Sequence, residues 1–503
     1  MYPISADRSE SNVELDQEKY REGEVPAQLE GALKELRLSD SHREYLVSRH
    51  GRLDLEPLPS MSPDDPLNWP TWRKNTQALL VAFHSMMCTF MAAGIIPAAK
   101  VFAEEYGVSV HTSAYLTSIQ IAVIGIVPFI WNPIAARYGR RPVFMISVLG
   151  SAVCNIGGAR CTSFGAQLAT RALTAMFISP PIGIGSGVIT ELYFNDERAT
   201  KMGWWTLLLT LGVPVGPFLM GFVVKHAGAF WMFWIFAIIN LCQLVAYIFL
   251  GGETLFPRED VIAGKPIPKG GRLSFSRIDP TPFSLRGIFA PLFMARYIDV
   301  MIPSIAYAVV FCYAGVAVTV EMPSVFGERY HLDPQQLGLL FISIIIGGVL
   351  GEVLSAPLTD LFLEKYQAWV GYKLPANRLW ASYIGFLTAI VGLLVWGIRV
   401  EQANNGIFNV TPLVGAAIAS FGNQVVTTAL ISFSVECHQQ EAAGVGVLVN
   451  LLRQEIGFVG PFYFPLMFKS LNFAGSAGLM CGIIVAFAVL PVAALHWVRT
   501  KAR

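Results

Sequence analysis

Apolar and polar positions along the chain fall into long blocks rather than a short alternation. Nearly unbroken apolar stretches lie at roughly 76–99, 112–134, 143–161, 165–190, 203–225, 229–250, 297–320, 336–358, 379–399, 411–433, 443–467 and 474–497. A helix rises about 1.5 Å per residue and a bilayer's hydrocarbon core is about 30 Å thick, so about 20 apolar residues are needed to cross it. The pattern therefore predicts an all-α membrane protein with twelve transmembrane helices. Between the sixth and seventh blocks, residues 251–296 hold "GGETLFPRED" and "GKPIPKGGRLSFSRIDPTP", too rich in Gly, Pro and charge to span. The predicted organisation is a tail at 1–75, a six-helix bundle at 76–250, a central loop at 251–296, a second six-helix bundle at 297–497 and a short tail at 498–503.

Charge orients this arrangement. An even number of crossings puts both termini on one side, where connecting segments carry thirteen Lys and Arg, among them Arg73, Lys74, Arg140, Arg141, Lys365 and Arg378. The opposite side carries six, Lys100, Arg160, Lys225, Arg329, Arg399 and Lys469. An excess of basic residues marks the cytoplasmic side, so both termini are expected there, with the plasma membrane as the expected location. The sequon Asn409-Val410-Thr411 abuts a span on the opposite side and is expected to be unmodified.

Composition narrows the function. Apolar residues make up 54% of the chain and charged ones 14%, well below the quarter or so of a soluble protein, so most of the surface faces lipid. A net charge of +1 with no basic run interleaved with aromatics excludes a nucleic-acid partner. Cys437 stands beside His438 without a second such pair, and no metal-spaced ligands, Ser-His-Asp set or phosphate loop supports an enzyme. No cofactor and no metal are expected. The tail stretch "PAQLEGALKELRLSDSHREYLVSRH" has the composition of one surface helix.

At the entry to the first span stands "DPLNWPTWRKN", residues 65–75. Pro70 suits a first helical turn, Trp69 and Trp72 suit the headgroup layer, and Arg73-Lys74 suit the cytoplasmic side. Together with "HGRLDLEPLPS" before it, the string resembles the entry signature of fungal twelve-span transporters in the drug:proton antiporter branch of the major facilitator superfamily. "ARYGRRPVF" at 136–144 is similar to that family's loop between helices 2 and 3, with Asn132 where the motif opens on Gly and Ala136 where it carries an acid. "LATRALTAM" puts Arg171 at the family's helix 4 arginine, "LGVPVGPFLMG" at 211–221 resembles its helix 5 antiporter motif, and "GETL" at 252–255 resembles the end of its helix 6. "QQLGLLFISIIIGGVLGEVLSAPLTD", "PANRLW" and "VLVNLLRQEIGF" extend the likeness to the second half. It implies two bundles rocking about a central site, a proton gradient as energy source, a small-molecule substrate, a lipid bilayer as surroundings and a monomer. In the family the helix 5 motif accompanies export.

Physics supplies candidate residues beside the resemblance. Gly212, Pro214, Gly216, Pro217 and Gly221 form a small-residue, proline-bent face that lets another helix approach closely. Pro180-Pro181, opening "PPIGIGSG", suit a distortion of helix 4 where it lines a cavity. Charges in the bilayer are costly unless paired or wet, which singles out Arg171, Glu352 and Arg453. A structural ion pair and a transport role remain open for Glu352 and Arg453. Arg453 and Glu455, two apart on a helix, cannot pair with each other. Arg171 is expected to tune a carboxylate on another helix or to hold water. Glu191, Asp299, Glu321 and Glu436 are expected near span ends, with Glu191 pairing Arg140 or Arg141 as a gate on the cytoplasmic side. Trp131, Phe177, Tyr307, Phe311 and Tyr313 are candidate walls of a substrate cavity. The readings in competition are proton-coupled efflux of small amphipathic or cationic compounds, proton-coupled uptake of a cation such as a polyamine, and a non-transporting membrane receptor.

Overall fold

In a computed structural model the described residues are 39–262, 277–278, 285–370, 374–403 and 407–501, and they are helical and connecting segments with no strand among them. The tail stretch read as a surface helix before residue 39, residues 263–276 and 279–284 of the central loop and the last two residues lie outside the described residues. Two compact units result, one of residues 39–69 with 257–262 and the other holding all the spans.

In the smaller unit a helix runs over Asp40–His50, capped by the Ser39 side chain and closed by Gly51 at φ 74°. The "DPLN" of the entry string is a folded knot. Asp65 is fully buried, accepts from the Ser60 and Leu67 N–H groups at 2.9 and 3.1 Å, and pairs with Arg258 Nε at 3.0 Å. Asn68 donates to the Ser60 and Ser62 carbonyls at 2.6 and 2.8 Å. Trp69 is buried while Trp72 is 67% exposed, so of the two expected headgroup tryptophans only Trp72 faces outward. Pro70 sits one position before the first helical turn, extended at ψ 149°.

The larger unit begins with span 1, Thr71–Ala93, broken at Gly94 and resumed as Ala99–Tyr106. Span 2 bends by 45° between Val110–Ile126 and Pro128–Tyr138. Span 3 is Arg140–Gly158; span 4 is Phe164–Ile178 and Pro180–Leu192, interrupted at Ser179 by the two prolines; span 5 is Asn195–Ala227 and span 6 is Trp231–Phe249. Span 7 covers Ile298–Tyr330, span 8 Pro334–Gln367, span 9 Pro375–Gln402 and span 10 Thr411–Cys437. The last apolar run, Ala442–Lys501, is 60 residues long, three times what a crossing needs. Asn472, at φ 55° and ψ −178°, breaks it. The Ser476 hydroxyl reaches the Met467 carbonyl at 3.1 Å, nine residues back, which a continuous helix forbids. The run is two crossings, spans 11 and 12, and the crossings among the described residues come to twelve.

Close approach holds spans 1 and 5 together. A Cβ at Gly212 would lie 2.1 Å from Thr89 Oγ1 and 2.3 Å from the Met86 carbonyl, and one at Gly216 would lie 2.6 Å from the Phe90 carbonyl. The glycine face of span 5 is thus pressed on span 1 at its break, and Thr89 seals the contact by donating to the Leu209 carbonyl at 2.7 Å. Inside the first six spans several buried polar side chains pair across helices, the arrangement that hydrocarbon favours. Asn240 donates to Ser151 at 2.7 Å, and His84 lies between Tyr247 and Ser147 at 3.2 Å from each. Leu79, Val153, Phe249, Leu387 and Leu466 point outward, as a lipid-facing belt should.

Gly212→Ala is expected to lower the melting temperature of the purified protein, because overpacking a close helix contact costs about 1–3 kcal/mol. Gly446→Ala, with nothing within 4 Å of the new Cβ, should leave it unchanged or slightly raised. Equal melting of the two variants would show that the span 1–5 contact is looser than its geometry.

Candidate functional site

At the end of the spans nearest the N-terminus, Gly139 at φ 99° turns the chain from span 2 directly into span 3. The first N–H groups of span 3 consequently have no partner in their own helix. Glu253 supplies one: its two carboxylate oxygens accept from the Arg140 and Arg141 N–H groups at 2.8 and 3.1 Å, and the Leu255 N–H adds a third bond at 2.9 Å. Burial pushes the Glu253 carboxyl above its ordinary range, and the three N–H groups pull the other way. A Cβ at position 139 would stand 2.4 Å from Glu253, so only glycine admits this cap. Arg140 reaches Glu191 Oε1 with Nε and Nη2 at 3.1 and 2.9 Å, and Thr254 donates to Glu191 Oε2 at 2.7 Å. Arg141 turns away to the Tyr247 and Ile248 carbonyls that end span 6.

The second half repeats the plan. Arg378 at the start of span 9 meets Glu436 at the end of span 10 at 2.6 Å, as Arg140 at the start of span 3 meets Glu191 at the end of span 4. Arg378 also pairs with Asp360 of span 8 at 2.8 Å, an acid whose counterpart is missing in the first half, where Ala136 stands. Each of these ion pairs joins elements of one half. The expected Arg140–Glu191 pair is formed, and in this structure it ties span 3 to span 4. The contacts that join the halves at the far end are of another kind: Lys225 of span 5 pairs with Asp333 before span 8, His226 meets Gln335 at 3.2 Å, and a Cβ at Gly221 would strike the Pro334 carbonyl at 2.5 Å.

Between the halves lies a cavity of about 110 Å³, lined from spans 1, 2 and 5 on one side and spans 7, 8, 10 and 11 on the other. Its wall is largely apolar, with Thr89, Thr117, Thr210, Thr319, Ser420, Asn423, Gln424 and Gln454 as scattered polar groups. A π-helical turn at Phe311–Ala317 puts an extra residue into span 7 and presents Phe311, Ala314, Gly315 and Val316 to this space. Such turns recur at functional sites because they re-aim side chains without ending the helix. Arg453 is the single charged residue of the lining. Its Nη1 donates to the Tyr307 hydroxyl at 3.1 Å and its Nη2 to Asn450 Oδ1 at 3.0 Å, while its guanidinium lies 4.9 Å from the centre of the Phe311 ring. Glu352 stands one bond away from the cavity, accepting from Gln424 Nε2 at 2.9 Å. Neither Arg453 nor Glu352 is in an ion pair among the described residues.

Several candidates fall elsewhere. Of the five aromatic residues expected in the wall, Tyr307 and Phe311 line the cavity. Trp131 is tied to the Met176 carbonyl at 2.8 Å, Phe177 packs on Gly150, and Tyr313 accepts from the Tyr463 hydroxyl at 3.1 Å. Aromatic content alone does not say which face of a span turns inward. The Pro180-Pro181 break does not line the cavity either; the Pro181 carbonyl accepts from Ser85, and Gly185 lies against Trp205. Asp299, expected at an interface, is buried and receives Arg499 Nε at 2.7 Å; Glu321 is buried within span 7. Glu253, Asn423, Gln424 and Asn450 were not singled out from sequence. For Glu253 the signal existed, as the first acid after span 6.

Arg171 is 1% exposed and meets neither carboxylate nor open space. Its Nη1, Nη2 and Nε donate to the carbonyls of Met91, Ala92 and Leu116 at 2.9, 3.0 and 3.2 Å. The last carbonyls of a helix lack partners, and the broken end of span 1 exposes those of Met91 and Ala92 to a medium without water. Arg171 caps that break, and Ala92 and Ala93 beside it line the cavity. The acid that Arg171 was expected to tune is absent from its hydrogen-bond partners.

Among the described residues no group of His, Cys, Asp and Glu could hold a metal ion. The sequence profile of the Major Facilitator Superfamily matches residues 78–461. The MFS-type transporter atr4 of Stereocaulon alpinum is 26% identical over 85% of this chain and 78% of its own length, and the efflux pump vrtL of Penicillium aethiopicum is 26% identical over 84% of each. Polyamine transporter 3 of Saccharomyces cerevisiae is 25% identical over 86% of this chain and 70% of its own. The crystal structure of the human organic anion transporter MFSD10 superposes with a TM-score of 0.55 over 85% of this chain and all of that one, at 17% identity, a likeness of fold alone.

Arg171→Gln should lower both melting temperature and yield, since each buried carbonyl left without a donor costs about 1–3 kcal/mol, and Arg171→Lys should recover only part of the loss. Unchanged melting in Arg171→Gln would mean that water reaches the break in span 1 and the cap is dispensable.

Proposed function

Because the chain belongs to the Major Facilitator Superfamily, we propose that this membrane transporter is an exporter of small organic compounds driven by the proton gradient, its two halves rocking about the central cavity. The observation that carries the reading is that cavity, walled by both halves and flanked by a carboxylate one hydrogen bond away. The paired Arg140–Glu191 and Arg378–Glu436 braces support treating 76–250 and 297–497 as two rigid bodies, each stiffened at the same place. The far-end contact of Gly221 with Pro334 and Gly338 is small and tightly fitted, and so suits a seal that opens and recloses. Efflux draws on relatives named as efflux pumps and on the glycine face of span 5. Both termini are assigned to the cytoplasm of a plasma-membrane protein on the Lys and Arg excess at their side. The monomer contains the whole cavity and is taken as the working unit.

Glu352 is the proposed proton carrier. A carboxylate inside a span is costly when charged, and binding a proton removes that cost. Its partner Gln424 lines the cavity and can report the change there. Cation uptake finds support in one relative's name, that of a polyamine transporter. It asks a polycation to enter a cavity whose one charged lining residue is positive.

Cells lacking their own pumps and expressing the protein should retain less of an exported compound, and a proton uncoupler should abolish the difference. Greater retention that the uncoupler removes would instead establish uptake. In proteoliposomes Glu352→Gln should cut gradient-driven flux at least tenfold while leaving exchange across equal pH intact. Full gradient-driven flux in that variant would remove Glu352 from the cycle.

A further inference from the structure

The arginines of the spans differ in how their charge is met. Arg140, Arg378 and Arg499 are paired with carboxylates. Arg171 is spent on three backbone carbonyls. Arg453 alone faces the central cavity, and its hydrogen-bond partners, the Tyr307 hydroxyl and the Asn450 amide oxygen, are neutral. Its Nε is buried and has no hydrogen-bond partner among the described residues. Neither of the acids closest in sequence or across the cavity pairs with it: Glu455, two residues on, lies against Gly125 of span 2 outside the cavity lining, with its Oε1 unpartnered among the described residues, and Glu352 accepts from Gln424.

A partly buried cation that lines a cavity and has only neutral hydrogen-bond partners is a recognition element for an anion. A guanidinium presents its donors in a fixed plane that suits a carboxylate, and such charge-assisted bonds are the stronger kind. Around it the chemistry is consistent. The Tyr307 hydroxyl and the amides of Asn423 and Gln424 add donors, and no negative side chain lines the space to repel the ligand. Phe311, whose ring already faces the guanidinium, offers a stacking plane, and Ile121, Ile124 and Val316 supply an apolar wall. The 110 Å³ of free space is of the order of an engineered cavity of about 150 Å³ that holds one benzene ring.

Resting on the transporter reading, we propose that the substrate is an amphipathic organic anion, bound with its acidic head on Arg453 and its aromatic or aliphatic body against Phe311 and the apolar wall. This inverts the charge of the amphipathic or cationic compounds expected from sequence.

Three ligands of one shape and different charge test it: benzoate, benzamide and benzylamine, titrated against the purified full-length protein by calorimetry and followed as flux in proteoliposomes. Wild type should bind benzoate at least tenfold more tightly than benzamide, with benzylamine weakest. Arg453→Gln should bring benzoate down to the level of benzamide while benzamide affinity stays within about threefold of wild type, which shows the cavity intact; Arg453→Lys should restore part of the preference. Equal binding of the three by wild type, binding of none of them, or a preference for benzoate that survives in Arg453→Gln would each overturn the proposal. Proton-driven flux of benzamide with no preference for benzoate would overturn the anion assignment and leave the transporter reading standing. Preferential binding of benzoate without flux would do the reverse.

Discussion

A helix broken inside a bilayer leaves carbonyl groups with no water to satisfy them, and the arrangement of this protein depends on how one such break is met. Span 1 stops at Gly94, and Arg171 takes the carbonyls of Met91 and Ala92. Gly212 and Gly216 bring span 5 onto the same segment so closely that no side chain fits between. The residues on either side of the break, Thr89, Ala92, Ala93 and Ile96, are wall of the central cavity. The cavity exists where it does because the break can be held open at a tolerable cost, and the cost is met by a buried cation rather than by solvent.

A division of labour among charges follows. Charges at the N-terminal end are paired inside each half and stiffen it, twice over at matching positions. Between the halves the one ion pair among the described residues is exposed, Lys225 with Asp333, of a kind that contributes little in water, and it is joined by the Gly221 approach to Pro334, by Asn450 of span 11 donating to the Ile124 carbonyl of span 2 at 3.3 Å and by Tyr115 packed on Phe462. Buried ion pairs within the halves, and none but an exposed one between them, suit rocking about a central site. Arg453 belongs to neither group, since it faces the cavity and its hydrogen-bond partners are neutral.

Much of this was legible beforehand. The twelve apolar blocks match the twelve crossings because length and hydropathy are fixed by the bilayer and not by tertiary contacts. Even the 60-residue helical run from Ala442 divides where the polar gap between blocks eleven and twelve placed it. The glycine face of span 5 was legible for the same reason, as spacing along one helix. Partners across helices were not. Which way Phe177 or Trp131 turns depends on a rotation that a nearly all-apolar helix does not encode, and Arg171 was read as meeting an acid or water because backbone carbonyls leave no mark in a sequence. Glu253 stood in a recognised string, yet its task, capping span 3 from the end of span 6, required knowing that Gly139, lacking a Cβ, leaves room for its carboxylate.

On the proposed mechanism the two halves move as rigid bodies and the far-end seal between spans 5 and 8 opens in the cycle. Spin labels on cysteines placed at His226 and Gln336, with exposed Cys242 replaced by serine, would report the distance across that seal by pulsed dipolar spectroscopy in nanodiscs. Two distance populations whose ratio shifts with pH and with bound substrate are predicted, while a label pair on spans 3 and 4 of one half keeps a single distance throughout. One unchanging distance across the seal, or an equal change within the half, would contradict it.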